Sequence, residues 1–122
     1  CASLLQDIRA SHPDKEFIFT VSPIRHLSDG AHSNTLSKST LHLAVDSAMA
    51  GARNAAYFPA YELMMDELRD YRFWAKDMVH PSELAVDYIW EQFIAAHVPQ
   101  KDLAGLRANE KSSLRARHKP MK

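Results

Sequence analysis

The sequence predicts an α/β fold built around a short parallel sheet. Two short runs rich in apolar and aromatic residues lie between turn signals, at Glu16–Ser22 and Asn54–Pro59, and such runs are typical of buried strands. A polar connection and an amphipathic helix separate them, which gives the strand, helix, strand order of a βαβ unit. The chain has 122 residues, 46% of them apolar, as expected of a globular protein.

Helical spacing of apolar residues predicts the remaining elements. One helix covers Ser3–Arg9 and ends before Pro13, because proline disfavours helix at the preceding residue. Another covers Ser82–His97. Between the strands we expect a loop over Arg25–Lys38, followed by the amphipathic crossover helix. Ala60–Leu68 fits either a helix or an irregular ordered segment.

Charge divides the chain unevenly, although 15 basic residues balance 15 acidic ones. Residues 98–122 form a basic tail after a domain over residues 1–97, and Lys101–Arg117 is predicted as a helix. We expect this tail to be solvated and nucleic acid not to be a partner, because the tail has no aromatic residues for base stacking. The cationic residues considered for such a contact are Lys101, Arg107, Lys111, Arg115, Arg117 and Lys119.

Composition excludes several classes of protein. No run of about 18 apolar residues is present, so no membrane span is expected. The single cysteine, Cys1, can form neither an internal disulfide nor a cysteine zinc cluster, and a cytoplasmic protein is favoured. The chain starts with Cys and has no signal segment, so we interpret it as a fragment.

An Asp-x-x-His pattern at Asp77 and His80 offers the clearest chemistry. In a hydrolytic site, His80 can take a proton from a nucleophile while Asp77 accepts a hydrogen bond from the other ring nitrogen. Zinc binding would need a third ligand, and none lies at a recognisable spacing, so neither a metal nor a cofactor is expected. The pair could instead pin the loop before the last helix.

Arg25 and His26 directly follow the first strand, where α/β sheets place binding loops. Arg25 could bind an anionic or carbonyl group of a substrate, or pair with an acid of the segment Glu62–Asp70. No serine lies in a Gly-x-Ser-x-Gly turn, so a nucleophile is not evident.

A resemblance to a known family is carried by four segments, Phe19–Leu27, Tyr57–Phe73, Asp77–Pro81 and Tyr88–Trp90. Together they resemble the C-terminal half of a GSCFA-family domain. This family is similar to the SGNH hydrolases, which have a flavodoxin-like three-layer α/β/α fold and act mostly as esterases, lipases or carbohydrate O-deacetylases.

The resemblance implies that His80 is a general base and Asp77 its orienting partner. The family's serine lies in a Gly-Ser-Cys-Phe-Ala stretch near the start of the full domain, and the segment Cys1-Ala2-Ser3 lacks its leading glycine. We therefore expect this chain to supply base and orienter to a serine encoded upstream. The expected substrate is an acyl ester of a small molecule, glycan or lipid. The alternative is a non-catalytic binding or structural module.

A domain without its first strands would expose a sheet edge and apolar surface. We therefore expect the isolated chain to self-associate and to have no hydrolase turnover.

Overall fold

A computed structural model gives the structure of residues 2–117, which form a mixed α/β protein that is mostly helical. The chain divides into two compact units, Cys1–Ile89 and Trp90–Lys122. Cys1 and the end of the predicted basic tail, including His118 and Lys119, lie outside the described residues. None of the described helices is long and apolar enough to cross a membrane.

The helices predicted over Ser3–Arg9, Ser82–His97 and Lys101–Arg117 are confirmed, and each end lies within two residues of its predicted position. Short 3₁₀ turns lie at Tyr71–Phe73 and Gln100–Asp102. In chain order the helices and strands are α1 (Ala2–Ser11), β1 (Phe17–Phe19), α2 (Ala31–Met49), β2 (Ala55–Tyr57), α3 (Ala60–Glu62), α4 (Glu83–His97) and α5 (Leu103–Arg117).

The two strands pair in parallel, with Phe17 opposite Ala55 and Phe19 opposite Tyr57, and α2 connects them. This confirms the predicted βαβ unit. The prediction of a buried strand is wrong at Ile18, which is 43% exposed. The sheet of the described residues has two strands, and the face that carries Ile18 is not fully covered.

Helix α2 begins at Ala31, so the predicted loop over Arg25–Lys38 is wrong from residue 31 onward. Gly30 adopts a φ of 92° and allows the chain to turn into the helix. The first half of α2 is rich in serine and threonine, whose hydroxyls bond carbonyls four residues earlier, as Thr35 does with Ala31. The polar side chains thus remain compatible with a helix, and apolar periodicity alone placed its start too late.

The segment left open by the sequence is α3 followed by a π-helical turn, Leu63–Glu67. This irregular turn contains Met64, which is 1% exposed and packs with Leu68 and with Ala85 of α4. Their burial attaches the chain after β2 to the last helix of the first unit. Partly buried side chains surround this cluster, namely Met65, Phe73, Trp74, Tyr88 and Ile89.

The second unit contains the end of α4 and helix α5, where the sequence predicts a helix. The rings of Trp90 and Phe93 stack with their centroids 5.5 Å apart. Trp90 also donates a hydrogen bond from Nε1 to a carboxylate oxygen of Glu110, at 3.2 Å. These contacts join the two helices within this unit.

We predict that Met64→Ala lowers the free energy of unfolding by about 2 to 5 kcal/mol, since it leaves a cavity in the buried cluster. Leu43→Ala is the control, because Leu43 is exposed on α2 and its removal should change stability by about 0.5 kcal/mol or less. Urea unfolding of both variants measures the difference. Equal midpoints would contradict the assignment of this cluster as a core.

Candidate functional site

Backbone hydrogen bonds close residues 75–80 into a loop. Trp74 and Pro81 form an antiparallel β-bridge at its base. Just inside this bridge, the amide of Ala75 donates to the carbonyl of His80, with an N to O distance of 2.8 Å. The amide of Ser82 donates to the carbonyl of Phe73, also at 2.8 Å. The loop therefore has a fixed base directly before α4.

Asp77 organises the interior of this loop. Its Oδ1 accepts hydrogen bonds from the backbone amides of Val79, at 2.9 Å, and His80, at 3.0 Å. Met78 between them adopts a φ of 59°, in the left-handed region that non-glycine residues rarely occupy. The carboxylate thus holds the backbone in a turn that brings the side chain of His80 back toward Asp77.

The second carboxylate oxygen contacts the ring of His80. Oδ2 of Asp77 lies 2.6 Å from Nδ1 of His80. A carboxylate only accepts hydrogen bonds, so Nδ1 carries the proton and the neutral ring has an unprotonated Nε2. In residues 2–117, no group forms a hydrogen bond with Nε2, and the side chain of His80 is 57% exposed. The pair therefore presents a proton-accepting nitrogen to the surface.

These hydrogen bonds lower the pKa of Asp77 to about 2. The largest cause is the backbone amide of His80, followed by the backbone amide of Val79 and then by the ring of His80. All three donate to the charged form of the carboxyl group and so favour it. Asp77 is therefore a carboxylate throughout the neutral pH range.

Arg25 is brought to the same loop. Its backbone amide donates to the carbonyl of Val79 at 3.0 Å, and its guanidinium lies 4.2 Å from the ring centroid of Trp74. The ion pair with an acid of Glu62–Asp70 is not formed, since no carboxylate of the described residues lies within 4 Å of this guanidinium. The cation stacks on an aromatic ring instead.

His26 lies next to Arg25, and its backbone amide donates to Oδ1 of Asn34 on α2 at 2.8 Å. The structure thus brings the loop of Asp77 and His80 against the connection that leaves the carboxyl end of β1. The two groups of residues predicted from the sequence therefore meet at the hydrogen bond between Arg25 and Val79.

Lys38 was not singled out by the sequence, yet it is 2% exposed. From α2 its Nζ donates a hydrogen bond to the carbonyl of Ser22, at 2.7 Å. Burial lowers the pKa of this lysine, because the charged form loses its hydration.

A second group of polar side chains lies one helical turn beyond Lys38. The ring of His42 bonds the carbonyl of Lys38 through Nδ1, at 2.7 Å, and reaches Glu62 through Nε2, at 3.2 Å. The hydroxyl of Tyr57 donates to the same carboxylate. Burial, and after it Glu62, raises the pKa of Tyr57. Lys38 and His42 are four residues apart, but the sequence prediction placed Lys38 in a loop, so this helical spacing was not recognised.

Among the described residues, no group of three potential ligands could hold a metal ion. A cavity of about 310 Å³ lies elsewhere, close to the residues that precede the strands, and His80 does not line it. Its lining residues are Arg9, Ala10, Pro13, Gly51, Arg53 and Asn54.

We predict that the carboxyl group of Asp77 titrates near pH 2, and that His80→Ala raises this midpoint only part of the way to the ordinary value of 3.8. Alanine keeps the backbone amide that contributes most. Because the pKa in the folded state is lowered, the stabilisation from this carboxylate is complete above its ordinary pKa and is lost as the pH falls through 2. Carbon-13 NMR of the carboxyl group measures both midpoints, and a full return to 3.8 in the variant would contradict the geometry.

Comparison with known proteins places the chain in a family. The model of the GSCFA family matches residues 1–93, a range that contains both strands and the loop of Asp77 and His80. No curated protein and no solved structure matches the chain. Because the match covers most of the sequence, the chain belongs to the GSCFA family.

Proposed function

We propose that this chain forms the base-bearing part of a serine ester hydrolase site. In this proposal the chain is the C-terminal part of an SGNH-like domain with a flavodoxin-like three-layer α/β/α fold. His80 is the general base, and a segment outside these 122 residues supplies the nucleophilic serine. Membership of the GSCFA family is consistent with this role.

The observation that carries the proposal is the 2.6 Å contact between Oδ2 of Asp77 and Nδ1 of His80. It fixes the tautomer in which Nε2 can accept a proton. Nε2 takes the proton of the serine hydroxyl as the serine oxygen attacks the acyl carbonyl carbon. Asp77 stabilises the imidazolium that forms, and the imidazolium then protonates the departing alcohol. Water repeats both steps on the acyl-enzyme and releases the acid.

We assign Arg25 and His26 to substrate binding. Arg25 is tied to the catalytic loop through the carbonyl of Val79, and the ring of Trp74 supports its guanidinium. A guanidinium donates hydrogen bonds to carbonyl and anionic oxygens. The substrate class is an acyl ester of a small molecule, a glycan or a lipid, and an activated serine requires no cofactor.

The alternative is a non-catalytic binding or structural module of the same fold. Two of the three hydrogen bonds to Asp77 come from the backbone of its own loop, which favours a role in shaping the turn. The exposure of His80 also fits this alternative.

We use "intact protein" for a protein that also contains the proposed serine segment. In it, we predict that His80→Ala lowers kcat for ester hydrolysis by about 10²- to 10⁴-fold, the usual contribution of a general base. Asp77→Asn should also lower kcat, because an amide does not favour the same tautomer. His32→Ala is the matched control, since His32 is an exposed histidine of α2, and its kcat should equal that of the wild type. Hydrolysis of p-nitrophenyl acetate measures all three.

We also predict that the 122-residue chain alone hydrolyses no ester, because it lacks the proposed serine. Robust hydrolysis by this chain that depends on His80 would contradict the division of the site between two segments. Wild-type activity of the His80→Ala intact protein would favour the structural module.

A further inference from the structure

Helix α2 holds both connections that leave the carboxyl ends of the strands. Asn34, Lys38 and His42 are four residues apart, so their side chains lie on one face of the helix. Asn34 and Lys38 contact the connection after β1, and His42 contacts Glu62 of α3, the helix that follows β2. We call these three residues the polar stripe of α2.

The polar stripe holds the segment Ser22–His26 at both ends. Lys38 donates to the carbonyl of Ser22, at 2.7 Å, and Asn34 accepts from the amide of His26, at 2.8 Å. Between these two anchors, the amide of Arg25 donates to the carbonyl of Val79, at 3.0 Å. Val79 immediately precedes His80, so the course of this segment bears directly on the loop of the candidate base.

The ammonium of Lys38 lacks an acidic partner among the described residues. The residue is 2% exposed, and no carboxylate of residues 2–117 lies within 4 Å of its Nζ. The ring centroid of Tyr61 is 6.0 Å away, at the limit of a cation–π contact. Burying a charge without an opposite charge is costly, and an apolar side chain of similar size would avoid that cost.

We propose that Lys38 is a positioning residue for the candidate site. It fixes the carbonyl of Ser22 and, together with Asn34, sets the path of the segment whose Arg25 amide holds the loop of His80. Lys38 acts through this segment and does not touch the substrate. The assignment to a reaction rests on the proposed function, whereas the positioning itself can be measured without any activity.

Amide hydrogen exchange in the intact protein, followed residue by residue, tests the positioning with Lys38→Met. The substitution removes the hydrogen bond from Lys38 to the carbonyl of Ser22. The hydrogen-exchange rate of the Arg25 amide should therefore rise by about three- to tenfold, the factor that corresponds to one ordinary hydrogen bond. The amide of Phe58, which donates to the carbonyl of Phe19 across the sheet, should exchange as in the wild type. Lys15→Met is the control, since Lys15 is an exposed lysine, and it should change neither amide.

Thermal stability distinguishes a positioning role of Lys38 from a packing role in the core. The melting temperature of Lys38→Met should equal or exceed that of the wild type, because a buried charge is removed. An unchanged Arg25 amide, an equal rise at Arg25 and Phe58, or a variant that fails to fold would each overturn the inference. A second variant, Asn34→Ala, tests the other anchor. The amide of His26 should exchange faster in this variant, because it loses its acceptor.

Kinetics then connect the positioning to the reaction. If the intact protein hydrolyses p-nitrophenyl acetate, Lys38→Met should lower kcat by up to about 10²-fold, the scale of a misplaced catalytic group. Lys15→Met should leave kcat unchanged. Wild-type kcat together with a released Arg25 amide would overturn the catalytic part of the inference. Absence of hydrolysis in the wild type would count against the proposed function, and the exchange result would still decide the positioning.

Discussion

The three hydrogen bonds accepted by the carboxylate of Asp77 are the interaction on which the candidate site depends. Two come from backbone amides and shape the turn, and the third comes from the ring of His80. One side chain therefore sets both the backbone of the loop and the tautomer of the histidine. The spacing of three positions matters because the turn that Asp77 shapes brings the ring of His80 back to the same carboxylate.

The same carboxylate keeps its charge because its environment is polar. Asp77 is exposed to water, and its low pKa comes from hydrogen bonds that favour the anion. Lys38 is the opposite case, an ammonium that is buried and bonded to a neutral carbonyl. Hydrogen bonds stabilise the charge of Asp77, whereas burial disfavours the charge of Lys38. Because of this difference, we look for a functional role of Lys38.

Local patterns in the sequence predicted much of the fold. Apolar spacing and proline located α1 and α4, and two aromatic runs located β1 and β2. The start of α2 was missed because its inward face is polar near Asn34 and Lys38, so hydrophobic periodicity carried no signal there. The π-helical turn at Leu63–Glu67 was left open for a related reason, since its packing around Met64 follows no regular period.

The Asp77 and His80 pair was predictable because the interaction is local, between side chains only three positions apart in the sequence. The link from Arg25 to Val79 was not predicted, because a backbone hydrogen bond between distant segments leaves no mark in residue types. The stacking of Arg25 on Trp74 also depends on tertiary structure, and charge alone favoured an ion pair instead. The sequence thus predicted the hydrogen-bonded pair, and the structure showed which tertiary contacts hold its loop.

Nitrogen-15 NMR of the uncharged form of the His80 ring tests the central claim most directly. The account predicts a protonated Nδ1 and an unprotonated Nε2, and it predicts that Asp77→Asn weakens the preference for this tautomer. A proton on Nε2 instead, or a tautomer ratio unaffected by Asp77→Asn, would contradict the claim that Asp77 prepares His80 to accept a proton.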